Sequence, residues 1–174
     1  MRKLSRIICV CLILAGLALA VVYWPIEISP LALSNQSGKT AKVIRVIDGD
    51  TIILDSGETV RYIGIDAPEI KNNECFAKEA REINQKLLLN KYVQLEQDIS
   101  QEDAYHRILR YVYLLGEDQN GEEKIFVNKY LVENGYARPF VYPPDIKYKK
   151  IFQKAEESAR DKKLGLWNLC LGAD

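Results

Sequence analysis

The sequence predicts an α+β chain, mainly β: a small five-stranded barrel with about three helices, preceded by an apolar N-terminal helix. Three observations lead there. Short β-branched and aromatic runs recur at Lys42 to Ile47, Thr51 to Leu54, Thr59 to Ile65, Val93 to Leu95 and Arg107 to Leu115. Two other stretches carry a single apolar stripe at helical spacing. The resulting order is three strands, a helix, two strands and two helices, which does not alternate βαβ and so disfavours a doubly wound parallel sheet.

Each element has its own local reason. Ser56-Gly57 marks the turn between the second and third strands. From Cys75 to Asn90, Phe76, Ala80, Ile83 and Leu87 recur at spacings of four, three and four, the apolar face of an amphipathic helix that packs on the sheet. Glu117 to Gly121 reads as a loop, and Val127 to Asn134 as a short helix stopped by Gly135 just past its end. Asp145 is expected to cap a last helix with Tyr148, Phe152, Ala155 and Ala159 on one face, after which Leu166 and Trp167 lie back on the body.

The 174 residues, 48% of them hydrophobic, suit one globular domain plus an appendage. Basic and acidic residues number 24 each, and the first 20 residues hold Arg2, Lys3 and Arg6 with no acid. Without that segment the chain has 21 basic against 24 acidic residues, a net charge of −3. A polyanion would have to be met by a local basic surface, because no global field attracts it. An enzyme that must release its product is compatible with this balance, and tight non-specific DNA packaging is disfavoured.

Residues 1–24 read as an export signal or a membrane anchor. The basic start precedes an uncharged apolar run from Ile7 to Tyr23, with Ala18-Leu19-Ala20 as a small-x-small cleavage site. The run is also long enough to be retained as a span, with Tyr23 and Trp24 at the interface. Either way the expectation is an extracytoplasmic domain, secreted or held at the membrane. Cys9 and Cys11 within the run are apolar filler. Residues 25–40 read as a linker, 41–168 as the domain and 169–174 as a tail. Cys75 and Cys170 are two cysteines in an exported domain, so a disulfide is the first expectation and two buried thiols the alternative.

The chemistry gathers in Val46 to Glu69. Asp48 and Asp50 precede one strand, while Asp66 and Glu69 follow the next. An antiparallel hairpin through Asp55-Ser56-Gly57-Glu58 brings Asp50 beside Asp66. Carboxylates crowded at one rim repel unless a cation joins them, and their hard oxygens suit Ca²⁺ or Mg²⁺. Arg61, between the clusters in sequence, can offer a guanidinium fork to a phosphate. Asp48-Gly49 reads equally as a plain turn dipeptide or as an acid close behind the metal.

Asp48-Gly49-Asp50-Thr51, Arg61 and Asp66-Ala67-Pro68-Glu69 resemble the signature of the thermonuclease family, the nucleases similar to staphylococcal nuclease. The resemblance continues through Asp103-Ala104-Tyr105-His106-Arg107, Asn134-Gly135-Tyr136-Ala137 and Leu164-Gly165-Leu166-Trp167, covering roughly residues 41 to 168. It implies an OB-fold barrel, a class that commonly binds oligonucleotides. It further implies calcium-dependent hydrolysis of phosphodiester bonds in DNA and RNA, with little sequence preference and 3′-phosphate ends. Single strands are the expected substrate and a monomer the expected form.

On that reading Asp50 and Asp66 hold Ca²⁺, with the Ala67 carbonyl as a third oxygen donor where the family often has a hydroxyl residue. Glu69 orients or deprotonates the attacking water, while Arg61 and Arg107 grip the phosphate oxygens. Tyr105 and Tyr142, with Phe140, are placed to stack on a base or touch a phosphate. Three departures from the family pattern stand out. Ala104 sits where members can carry lysine, His106 replaces a glycine, and the region around Phe140 is one residue shorter. Two rival readings remain: a non-catalytic OB-type binding module and a membrane-tethered, calcium-stabilised structural domain. A degenerate module should have lost at least one of Asp50, Arg61, Asp66, Glu69 and Arg107, and all five are present.

Overall fold

The computed structural model describes residues 39–116 and 124–170. The expected N-terminal apolar helix, most of the linker and the whole Glu117 to Gly121 loop lie outside these residues. Among the described residues no helix is long and apolar enough to cross a membrane.

Eight β segments and four helices follow in order. They are β1 (Lys39–Asp48), β2 (Thr51–Leu54), β3 (Thr59–Tyr62), β4 (Ile65–Asp66), α1 (Ala77–Leu88), β5 (Tyr92–Glu96), β6 (Ile108–Leu115), β7 (Lys124–Phe126), α2 (Val127–Glu133), β8 (Arg138–Pro139), α3 (Lys149–Asp161) and α4 (Leu166–Leu169). β1 begins at Lys39, inside the stretch expected to be linker.

The barrel exists because β1 is long enough to serve two neighbours. Its first half pairs antiparallel with β5, Ala41 against Val93, and its second half with β2, Val46 against Ile52. Two register shifts in that second half bend the strand. β2 then pairs with β3, β5 with β6, and a parallel β3–β6 pairing of Val60 with Ile108 closes the ring into five strands. Val43, Ile52, Leu54, Val60, Val93 and Val112 fill the interior, fully buried. The chain is thus a closed five-stranded barrel with helices, of the OB-fold type, with β7 added outside β6.

Three expectations need correction. The run Thr59 to Ile65 is not one strand: it breaks at Ile63-Gly64, where Gly64 has φ 79° and lies against the Phe152 ring, and β4 turns away to pair with β8. The buried stripe of α1 is Ala77, Ala80, Asn84 and Leu88, with Ile83 and Leu87 only partly covered. It shifts because Asn84 is buried by hydrogen bonding, accepting from Tyr62 Oη at 3.0 Å and donating to the Asp48 carbonyl at 3.0 Å. An apolar periodicity cannot show a polar residue at its centre. Asp145 does not cap α3, whose N-cap is Tyr148 without a side-chain bond. Its Oδ1 instead accepts from the backbone N–H groups of Ile99 and Ser100 at 2.9 and 2.8 Å, tying two loops together.

Two other contacts lock the helices to the barrel. Fully buried Asn128 of α2 accepts from Val112 N–H at 2.9 Å and donates to the Ile63 carbonyl at 2.9 Å, bridging β6 and the end of β3. Cys75 and Cys170 are bonded, with Cα atoms 5.9 Å apart, inside the usual disulfide range. The bond closes a loop of sequence separation 95. Chain-entropy models make such a closure worth about 4–5 kcal/mol.

Gly135 stops α2 as expected, with φ 72°. It also packs backbone to backbone on Gly165, whose successor Leu166 donates its N–H to the Gly135 carbonyl at 2.9 Å. A Cβ at Gly135 would lie 2.2 Å from the Leu164 carbonyl oxygen, so both space and conformation demand glycine. Gly135→Ala should cost about 2–4 kcal/mol, positive φ and overpacking together. The check is the urea midpoint at constant m; an unchanged midpoint would contradict this account of the Gly135–Gly165 contact.

Candidate active site

The site forms where β3 ends. Arg61 follows Val60 on β3 with its side chain only 14% exposed, and its guanidinium folds into the Ile63-Gly64 turn. Nη1 donates to the carbonyls of Tyr62 and Ile65 at 2.9 and 2.8 Å, and Nη2 to Asp66 Oδ1 at 2.6 Å. Asp50 Oδ2 lies 3.1 Å from Nη1. Asp50, Arg61 and Asp66, predicted from opposite ends of a hairpin, therefore meet. Two of the five guanidinium N–H groups have no partner among the described residues.

Asp50 is held from three sides. Ala67 N–H donates to Oδ2 at 2.7 Å and Thr51 Oγ1 to Oδ1 at 3.0 Å, while its own carbonyl accepts from Tyr62 N–H at 3.0 Å. What the structure fixes at Ala67 is thus its N–H. Gly49 makes this approach possible: a Cβ there would lie 2.5 Å from the Ala67 Cβ and 2.9 Å from that of Ala80. The Gly49 position is therefore closed to any larger side chain.

Burial pushes the Asp50 carboxyl above its ordinary range, against the pull of Arg61 and the Ala67 N–H, and the Asp48 charge adds to the rise. Half-exposed Asp66 is pushed the same way by burial; Arg61 opposes it, and the charges of Asp50 and Glu74 reinforce it. Asp48 Oδ1 is buried with no hydrogen-bond partner. Negative charge therefore exceeds what Arg61 neutralises. A hard divalent cation fits this donor set, with Asp50 and Asp66 as its carboxylates. Among the described residues no group of three or more His, Cys, Asp or Glu side chains is placed to hold a metal, so backbone and water oxygens would complete the shell.

Arg107 stands at the start of β6, and its direction is set by Asp103. Asp103 Oδ1 accepts from the backbone N–H groups of Tyr105 and Arg107 at 2.9 and 3.0 Å, while Oδ2 accepts from Arg107 Nε at 2.7 Å. Burial opposes ionisation of Asp103, yet these bonds hold its carboxyl below the usual range. The turn between them needs His106 at φ 61°, which explains the glycine usual there. Arg61 and Arg107 border one open cleft of about 390 Å³, whose rim carries Tyr142. Tyr142 and Tyr105 are 74% and 79% exposed, and the Arg107 guanidinium sits 5.4 Å from the Tyr105 ring centre.

Glu69 is the expected residue that stands apart. Exposed after Pro68, its Oε2 accepts from Asn72 Nδ2 at 2.9 Å, and its N–H donates to Glu74 Oε2 at 3.0 Å. No bond joins it to Asp50, Arg61 or Asp66 among the described residues. The sequence reading quoted Asp103 within a motif without giving it a role, and passed over Asn72 and Glu74. Asp103 carried a usable signal, an acid two residues before Tyr105 and four before Arg107, the spacing of an Asx-type turn. Asn72 and Glu74 carried none.

In the metal-free protein the raised carboxyls make a signed prediction. The fold binds the Asp50 and Asp66 protons more tightly than the unfolded chain, so their contribution is full below the ordinary value of 3.8 and lost as pH rises through the raised values. In chelator, the urea midpoint of Asp50→Asn should therefore fall less, or rise more, than that of the parent between about pH 4 and pH 7. Comparing the two proteins cancels the opposite slope from Asp103 and Glu74, whose carboxyls are lowered. Parallel pH curves would contradict the burial strain assigned to Asp50.

Comparison with known proteins identifies the family. Residues 59–169 match the model of the family described as staphylococcal nuclease homologue. The thermonuclease of Staphylococcus hyicus is 39% identical over 143 residues, covering 78% of this chain and 80% of that protein. That of Staphylococcus intermedius is 40% identical over 137 residues, 75% of this chain and 77% of that protein. An SPbeta prophage-derived endonuclease of Bacillus subtilis is 38% identical over 133 residues, 71% of this chain and 42% of that longer protein. With its barrel closed and Asp50, Arg61 and Asp66 in contact, the chain belongs to the staphylococcal nuclease homologue family and is a nuclease.

Proposed function

We propose that the chain is an exported, calcium-dependent nuclease that hydrolyses DNA and RNA with little sequence preference, favours single strands and leaves 3′-phosphate ends. The observation that carries this reading is the joint placement of Asp50, Arg61 and Asp66, with Arg61 and Arg107 bordering one cleft. Exposed Phe140 and Tyr142 at that cleft, with exposed Tyr105 beside Arg107, support stacking on unpaired bases, which every base permits.

Asp50 and Asp66 would hold the cation, and Ca²⁺ suits an irregular shell of carboxylate, carbonyl and water oxygens. Bound there, it would supply charge neutralisation on a phosphate oxygen and a position for water. Arg61 and Arg107 approach the phosphate from β3 and the start of β6, and their forks favour charge spread over its non-bridging oxygens. Glu69 takes a proton from water as that water attacks phosphorus. The bond from phosphorus to the 5′ oxygen breaks, leaving a 5′-hydroxyl and a 3′-phosphate. The N-terminal run, basic then apolar, supports export, with the chain released or held at a membrane. The domain acts as a monomer.

Hydrolysis of a fluorescently quenched single-stranded oligonucleotide tests the reading. The full-length chain should cut it with Ca²⁺ and stop in chelator. Glu69→Gln should lower kcat at least ~100-fold, and Arg61→Lys should be nearly as damaging as Arg61→Ala because the fork is lost. Binding without cleavage would favour a non-catalytic module, and full activity in Arg61→Lys would reduce that residue to a counter-charge.

A further inference from the structure

An exposed glutamate with three rotatable side-chain bonds is a poor base unless something holds it, since ordering such a side chain costs rotamer entropy. In this chain Glu69 is held by a turn of six residues. Glu74 grips it twice through the main chain: its Oε2 accepts from Glu69 N–H at 3.0 Å, and its own N–H donates to the Glu69 carbonyl at 3.2 Å. Asn72 Nδ2 then donates to Glu69 Oε2 at 2.9 Å and to Glu74 Oε1 at 3.1 Å, so one amide spans both carboxylates. Pro68 fixes the backbone before the turn, and Cys75, bonded to Cys170, fixes it after. Glu74, Cys75, Asp66 and Ala67 border one cleft of about 380 Å³, so the turn lies beside Asp66, one of the two metal-fitting acids.

We propose that Asn72 and Glu74 are positioning residues for the catalytic base: the amide of Asn72 aims the Glu69 carboxylate, and the carboxylate of Glu74 holds the backbone that carries it. This rests on the reading of Glu69 as the base. The bonds from Glu69 N–H and Asn72 hold the Glu74 carboxyl below its ordinary range, against a lesser opposing effect of burial, so it is an acceptor at neutral pH.

The test measures kcat and KM for the full-length chain on the quenched oligonucleotide with Ca²⁺, with the melting temperature of each variant alongside. Asn72→Ala should lower kcat ~10-fold with KM within ~2-fold, the scale for losing a group that orients a ligand or base. Glu74→Gln keeps an oxygen for Glu69 N–H and should retain most of the activity that Glu74→Ala loses. In a Glu69→Gln background Asn72→Ala should cost nothing further. With Glu69→Gln slowed as expected yet still measurable, an unchanged or raised kcat in Asn72→Ala, or the same fold loss in both backgrounds, overturns the proposal alone. If Asn72→Ala melts below the assay temperature, the Glu74→Gln and Glu74→Ala pair decides, and equal activities in the two overturn it. An active Glu69→Gln instead removes the base itself and the proposal with it.

Discussion

The guanidinium of Arg61 is the contact on which the site depends. It is nearly buried, and it spans two carboxylates and two carbonyls from both sides of the break between β3 and β4. A buried cation without these partners would be costly, and buried acids without the cation equally so. The turn that ends β3 and the meeting of Asp50 with Asp66 are therefore one event. The same contact explains why the third strand stops at Tyr62 although its sequence stays apolar to Ile65: the carbonyls of Tyr62 and Ile65 are both drawn to Nη1.

Around this centre the fold uses rigid parts for the charges and turns for the groups that must reach outward. Asp50 is pinned through Ala67 N–H, Thr51 and the close pass of Gly49 under α1, while Asn84 of α1 links Tyr62 to Asp48. Arg107 and Glu69 lie outside that knot, each aimed by a short turn closed by an acid, Asp103 in one case and Glu74 in the other. Both acids are kept ionised by the bonds they accept. Positioning a reactive side chain by a neighbour's hydrogen bonds is the general requirement of a site held to fractions of an ångström.

Much of this was legible in the residues because it follows from spacing. Alternating β-branched runs gave β2 to the residue, and the hairpin logic brought Asp50 to Asp66. The disulfide pairing of Cys75 with Cys170, expected from two cysteines in an exported domain, is present in the fold. What was not legible depends on contacts distant in sequence. Asn84 and Asn128 are polar residues at zero exposure, and only their partners justify that burial. Asp145 sits where a helix cap belongs, yet it binds a loop more than forty residues away in sequence. The resting partners of Arg61 and Arg107 were equally invisible: Arg107 was expected to face phosphate, and its Nε is already engaged by Asp103.

The central claim is that the two aspartates gathered by Arg61 hold one divalent cation. Calorimetric titration of the full-length chain with Ca²⁺ tests it most directly, because it reads binding without turnover. One site should appear in the parent and in Glu69→Gln, and disappear in Asp66→Asn. Undiminished Ca²⁺ binding by Asp66→Asn would contradict it.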